Sequence, residues 1–152
     1  MYFISIPGEP VAKQRPRHTS KGVTYTPDKT RNYERQVKYH ARMVMGTTVL
    51  QGPLKLHILF RLSVPDSWPA WKREAALRHE IMPTGKPDLD NLVKSIKDGM
   101  NGIAYNDDAQ VVELSVKKVY GDEPGVDVVI DPMLGRFPVT VTRNKQTGEL
   151  QA

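Results

Sequence analysis

Apolar and polar positions along this chain fall into segments with distinct periods. Tyr2 to Ile6 alternates as a strand and is stopped by Pro7 and Pro10. Residues 11–26 are polar and irregular, a loop composition. Thr26-Pro27-Asp28 opens a helix, and Lys29 to Met45 keeps the helical period. At roughly 100° per residue, Tyr33, Val37, Ala41 and Val44 share one face while Arg31, Arg35, Lys38 and Arg42 line up opposite. After Gly46 and the Gly52-Pro53 break, Leu54, Leu56, Ile58, Phe60 and Leu62 alternate with Lys55, His57 and Arg61, so a strand with one buried face follows. Ser67-Trp68-Pro69 then opens a short helix reaching about His79, with Trp68 and Trp71 as the packing residues that seat it.

The next helix runs from Leu89 to Met100. Leu89, Leu92, Val93, Ile96 and Met100 fall within one apolar arc, and Asp90, Lys94, Lys97 and Asp98 lie across from them. Asp88 is placed to cap it. Asn101-Gly102 is a turn signal, after which Val112, Leu114 and Val116 alternate as a strand. Gly121 to Gly125 separates that strand from Val126 to Ile130, and the two read as an antiparallel hairpin. Residues 1–131 therefore form a single domain, with 132–152 a peripheral tail holding one weak strand at Pro138 to Thr142.

Composition narrows the chemistry. The chain of 152 residues is about one domain long, and no apolar stretch approaches the roughly 20 residues of a membrane helix. The expected location is the cytoplasm. Cysteine is absent, which excludes disulfides, thiolate catalysis and cysteine-ligated zinc. The net charge of +5 is unevenly spread. Between Val11 and Met45 nine Lys and Arg face two acids, a local net of +7, and the remainder nets −2. Lys13, Arg15, Arg17, Arg31, Arg35, Lys38 and Arg42 thus make a basic flank suited to phosphates, and Lys86 adds to it.

The carboxylates gather elsewhere. Asp88 and Asp90 open the 89–100 helix, Lys94 follows Asp90 by one turn, and Asp107-Asp108 precede the next strand. Each piece alone has an ordinary explanation: a cap, a surface ion pair, a turn. Together they concentrate negative charge that a divalent cation would neutralise. The helix rises about 18 Å, so the Asn-Gly turn must fold the chain back for Asp107 and Asp108 to meet Asp88 and Asp90. Three carboxylates suit Mg²⁺, with Mn²⁺ as a substitute, and such an ion polarises a phosphate and activates water. Lys94 is placed to stabilise charge on the reacting phosphate. An EF-hand loop is excluded because Leu92 stands where a ligand is needed.

Lys86-Pro-Asp-Leu-Asp-Asn-Leu-x-Lys94, Asp98, Asn101-Gly and Asp107-Asp-x-Gln-Val111 together resemble the RusA family of Holliday-junction resolvases. The resemblance implies an α+β fold, a small mixed β-sheet packed with helices, and a homodimer that nicks four-way DNA junctions symmetrically with Mg²⁺ in recombination and repair. It implies catalytic and metal-binding roles for Asp88, Asp90 and Asp108, a catalytic role for Lys94 and a supporting role for Asp107. Two alternatives remain open on the residues: a DNA-binding protein whose acids are structural, and a nuclease for flaps or other branched DNA.

Overall fold

The computed structural model of the protein describes residues 1–133, 140–143 and 150–151. Among these residues β1 is Tyr2–Pro7, β2 Arg17–His18, β3 Thr24–Tyr25, α1 Asp28–Met45, β4 Thr48–Leu50, β5 Leu54–Leu62, α2 Ala70–Leu77 and α3 Leu89–Met100. A short 3-10 turn, Asp108–Gln110, leads into β6 Val111–Tyr120, followed by β7 Gly125–Pro132, β8 Thr140–Arg143 and β9 Leu150–Gln151. The class is α+β, as expected. The main sheet is mixed, in the order β1-β7-β5-β6, with β5 and β6 parallel and the other pairs antiparallel.

Its core lies on one face. Ile4 and Ile6, Leu56, Ile58 and Phe60, and Val126, Val128 and Ile130 point the same way and are buried against Val37 and Ala41 of α1 and Leu92, Ile96 and Met100 of α3. Each such side chain contributes on the order of 1.5–3 kcal/mol when fully buried. The opposite face is open and mixed, with Phe3, Leu59 and Val129 among its polar residues, and is crossed by an Arg61–Asp127 ion pair and a Ser5–Asp127 hydrogen bond. His57 lies exposed on it.

The hairpin expected between residues 112–116 and 126–130 does not form. β6 and β7 lie on opposite sides of β5, and the 121–124 connection crosses its end. Gly121 N–H donates to Leu62 C=O at 2.9 Å there. A Cβ on Gly121 would stand 3.0 Å from Arg61 Cβ, and one on Gly125 would stand 3.0 Å from the Ile6 carbonyl, so the connection passes close to its neighbours at both glycines. Local sequence favoured a hairpin, but the apolar alternation of β5 buries more when it takes a partner on each side.

Other departures are smaller. On α1 the fifth buried position is Met45, while Val44 is exposed. Trp68 packs edge-on against Tyr120 with Lys72 over its ring, but Trp71 is exposed and seats nothing. α2 stops at Leu77 because His79 takes a left-handed conformation, φ 61°, and the amides of His79 and Glu80 return to Ala76 and Ala75. The weak strand expected at Pro138 to Thr142 lies partly outside the described residues; within them, β8 pairs antiparallel with β4 and with β9. No helix among the described residues is long and apolar enough to cross a membrane.

The closest approach of two helices fixes α3. A Cβ on Gly99 would stand 2.6 Å from Val37 Cγ1, so α1 and α3 touch where only hydrogen fits. Gly99→Ala is expected to lower unfolding stability by about 2 kcal/mol through overpacking, read by urea denaturation. Combining it with Val37→Ala should cost less than the sum of the two single changes.

Candidate active site at the head of helix α3

The amphipathic pattern of α3 buries Leu92, Val93, Ile96 and Met100 and turns Asp90 and Lys94 to solvent. Asp88 occupies the N-cap position with extended backbone, φ −67° and ψ 141°, yet its carboxylate makes no capping hydrogen bond. The expected side-chain cap is therefore absent, and only the Asp88 carbonyl serves the helix, accepting from Leu92 N–H at 3.0 Å. Asp90 and Lys94 are likewise not joined by an ion pair, and neither side chain is engaged among the described residues. Free carboxylates at a helix start are favoured by its positive end.

The approach to Asp88 is held from outside. The Lys86–Pro87 bond is cis. Lys118 of β6 donates to Gly85 C=O at 2.8 Å and Pro87 C=O at 3.0 Å, gripping the segment on both sides of Lys86. A lone lysine on a strand carries no sequence signal for such a task. Asp88 lines a groove of about 590 Å³ together with Lys29, Lys86, Asn91, Gln14 and Glu9. Asp90 opens on the other side, at the rim of an apolar patch made by Leu89, Val93, Leu114 and Val116.

The second acidic pair divides its labour. Asp107 accepts from Ala109 N–H at 2.9 Å, and Gln110 Oε1 accepts from the amides of Asn106 and Asp107, a reciprocal capping box. Gln110 Nε2 then donates to the carbonyls of Leu50 and Gly52, both at 3.0 Å, tying the turn to the β4–β5 connection. The Asp-x-x-Gln spacing was the legible signal for this box. Asp107 is thus a structural partner that leaves Asp108 half-exposed.

Asp108 does not join Asp88 and Asp90 within the chain. It stands 4.0 Å from Lys97, which is about two turns, roughly 10 Å, beyond Asp90 along the helix. The Asn-Gly turn does fold the chain back, and β6 runs beside the first half of α3, but the fold-back begins at the helix's far end. Among the described residues no three acidic or imidazole groups cluster closely enough to hold one ion. The donor chemistry still suits a hard cation, which needs only one or two carboxylates when phosphate oxygens and water complete its shell. Tyr105, fully buried, donates to Lys97 C=O at 2.8 Å and fixes this end; burial, with Asp108, Asp98 and Asp107 nearby, pushes its phenol well above the ordinary range.

Of the basic candidates, Lys13 is committed elsewhere. Its amine lies 2.5 Å from Glu34 and 3.1 Å from Asp98, and its N–H donates to Asn91 C=O at 2.9 Å. Burial works against its charge, but the bonds to Glu34 and Asp98 outweigh that and hold its pKa above the usual value. It clamps the loop to α1 and α3, so its charge is already paired within the protein. Arg15, Arg17, Arg35, Lys38, Arg42 and Lys86 are exposed, and Arg31 is exposed but paired with Asp28.

Comparison with known proteins identifies the family of the chain. A family model described as Endodeoxyribonuclease RusA matches residues 7–131. The chain is 37% identical over 132 residues to a Bacillus subtilis (strain 168) protein named "Uncharacterized protein YqaN", covering 84% of this chain and 93% of that one. It is 35% identical over 81 residues to "Crossover junction endodeoxyribonuclease rusA" of Lactococcus phage r1t, covering 51% of this chain and about half, 53%, of the phage protein. With the match spanning both acidic pairs, strands β5 and β6 and nearly all of β7, the chain belongs to the RusA endodeoxyribonuclease family.

Proposed function

We propose that this chain is a Mg²⁺-dependent endodeoxyribonuclease that resolves four-way (Holliday) DNA junctions by paired symmetric nicks, acting as a homodimer in recombination and repair. The observation that carries this reading is the unengaged carboxylate pair at the head of α3, with Asp88 opening into a groove that Lys29 and Lys86 also line. The family match and the name of the phage relative support the substrate class.

In this reading Asp88 and Asp90 would hold Mg²⁺, or Mn²⁺ in its place, and Asp108, which stands apart from them within one chain, would contribute the third carboxylate of the reaction. When bound, the ion supplies Lewis acidity at the scissile phosphate and a water of lowered pKa. Lys86 and Lys29 hold the strand in the groove by charge. Lys94, free and one turn from Asp90, stabilises negative charge building on the phosphate. Asp107 supports Asp108 by keeping the turn closed. Arg15, Arg17, Arg31, Arg35, Lys38 and Arg42 hold flanking phosphates through ion pairing, which gives affinity with little sequence readout.

A second copy accounts for the apolar patch of Leu89, Val93, Leu114 and Val116. Leu114 is 44% exposed on β6, an edge strand of the main sheet, beside Asp90. Two-fold pairing sets two equivalent sites against two equivalent strands of a junction.

Asp90→Asn is expected to lower Mg²⁺-dependent cleavage of a fixed four-way junction by more than roughly 100-fold, since even outer partners of a metal cost up to that, while junction binding in EDTA persists. Asp108→Asn should do the same; full activity in that variant would confine the site to Asp88 and Asp90. Arg35→Ala should reduce the slope of log affinity against log salt by about one, for junction and duplex alike. Leu114→Glu should convert a dimer into a monomer in sedimentation equilibrium, and an unchanged mass would remove the patch as the interface.

A further inference from the structure

Every residue from Arg15 to Tyr25 is exposed, yet the segment is an ordered hairpin. Arg17 pairs with Tyr25 and His18 with Thr24. The tip is closed by Thr19 N–H to Val23 C=O at 2.8 Å, Gly22 N–H to Thr19 C=O at 3.0 Å, and Val23 N–H to Thr19 Oγ1 at 3.1 Å. Because none of these side chains enters the core, packing does not explain their identities.

The two faces of the ribbon differ. Directly opposed residues point to one side, and residues two apart on a strand share it. Arg17 and Tyr25 therefore occupy one face, with Tyr25 46% exposed, and Val23, just before β3, is 58% exposed. His18 and Thr24 occupy the other and engage each other, His18 Nδ1 lying 2.9 Å from Thr24 Oγ1. The polar face is satisfied internally, whereas the ring, the isopropyl group and the guanidinium are presented outward. Arg15 stands at the root and Lys21 near the tip.

An exposed aromatic ring beside an arginine matches the face of a nucleobase and its phosphate. Continuous duplex hides base faces in the stack, while a branch point leaves terminal faces open. An apolar wedge flanked by cations is also how proteins unstack a step. The root of the hairpin is rigid: Lys13 is clamped by Glu34, Asp98 and the Asn91 carbonyl, and Gln14 N–H donates to the buried Thr30 hydroxyl at 3.2 Å. Lys13 and Gln14 also line the groove that contains Asp88. Whatever the hairpin holds is thus registered against the head of α3.

We propose that the 15–25 hairpin is a branch-point probe, in which Tyr25 and Val23 stack on bases opened at the centre of a branched DNA while Arg17 holds the adjoining phosphate. This assignment rests on the nuclease reading for its substrate class, and deepens it by naming what distinguishes a junction from duplex.

The test uses the full-length protein in EDTA with a fixed four-way junction carrying 2-aminopurine at the branch point. Wild-type binding should raise 2-aminopurine fluorescence. Tyr25→Ser should lose most of that rise and weaken junction binding about 10-fold, the scale of one lost stacking contact, with duplex affinity and melting temperature unchanged. Tyr25→Phe should retain both. A rise that survives Tyr25→Ser, or an equal loss on duplex and junction, overturns the assignment. Junction cleavage in Mg²⁺ by wild type without any rise on binding also overturns it and leaves the nuclease reading standing. A Tyr25-dependent rise without cleavage upholds the hairpin's role and overturns the nuclease reading instead.

Discussion

The contact between α3 and its surroundings is the constraint on which the rest depends. Leu92, Ile96 and Met100 are fully buried against the sheet, and Gly99 meets Val37 of α1 at a distance only hydrogen allows. With one face locked and α1 pressed against its second half, α3 has no freedom to rotate. Its polar face is thereby aimed, and Asp90 and Lys94 are exposed because Leu92 and Val93 are not. The head of the helix inherits that precision and is further held by Lys118 through the Gly85 and Pro87 carbonyls.

Around this anchor, structural and chemical duties fall on different residues of the same type. Asp107 closes a capping box with Gln110, and Asp98 helps bind the Lys13 clamp. Asp88 and Asp90 carry no such work and keep their carboxylates open to solvent. The basic residues divide likewise: Lys13 and Lys118 bind the protein to itself, whereas Lys86, Lys94 and Arg17 do not. An unengaged charge is available to an outside partner without first breaking an internal contact, whose loss would leave a half-buried group unpaired.

The one-sided sheet explains where partners can approach. Its helix-covered face supplies the core, its open face mixes polar residues with Phe3, and its β6 edge leaves Leu114 and Val116 beside α3 only partly covered. The groove of Asp88 and the apolar patch of Asp90 lie on either side of the same helix start. The two surfaces thus meet at the two carboxylates, and Lys13 and Gln14, at the root of the 15–25 hairpin, line the groove.

Much of this was legible in the chain itself. The period of Leu92, Val93, Ile96 and Met100 determined α3 to the residue, and the alternation of β5 its buried face, because both are local consequences of backbone geometry and the hydrophobic effect. The acidic motif likewise named its candidates. What only the tertiary structure decided was adjacency: β5 inserted between β6 and β7, Lys13 turned inward, Lys118 reaching the Asp88 approach, and Asp108 standing by Lys97 at the far end of α3. Those outcomes depend on which surfaces bury best against which, a competition among distant segments that no local pattern encodes.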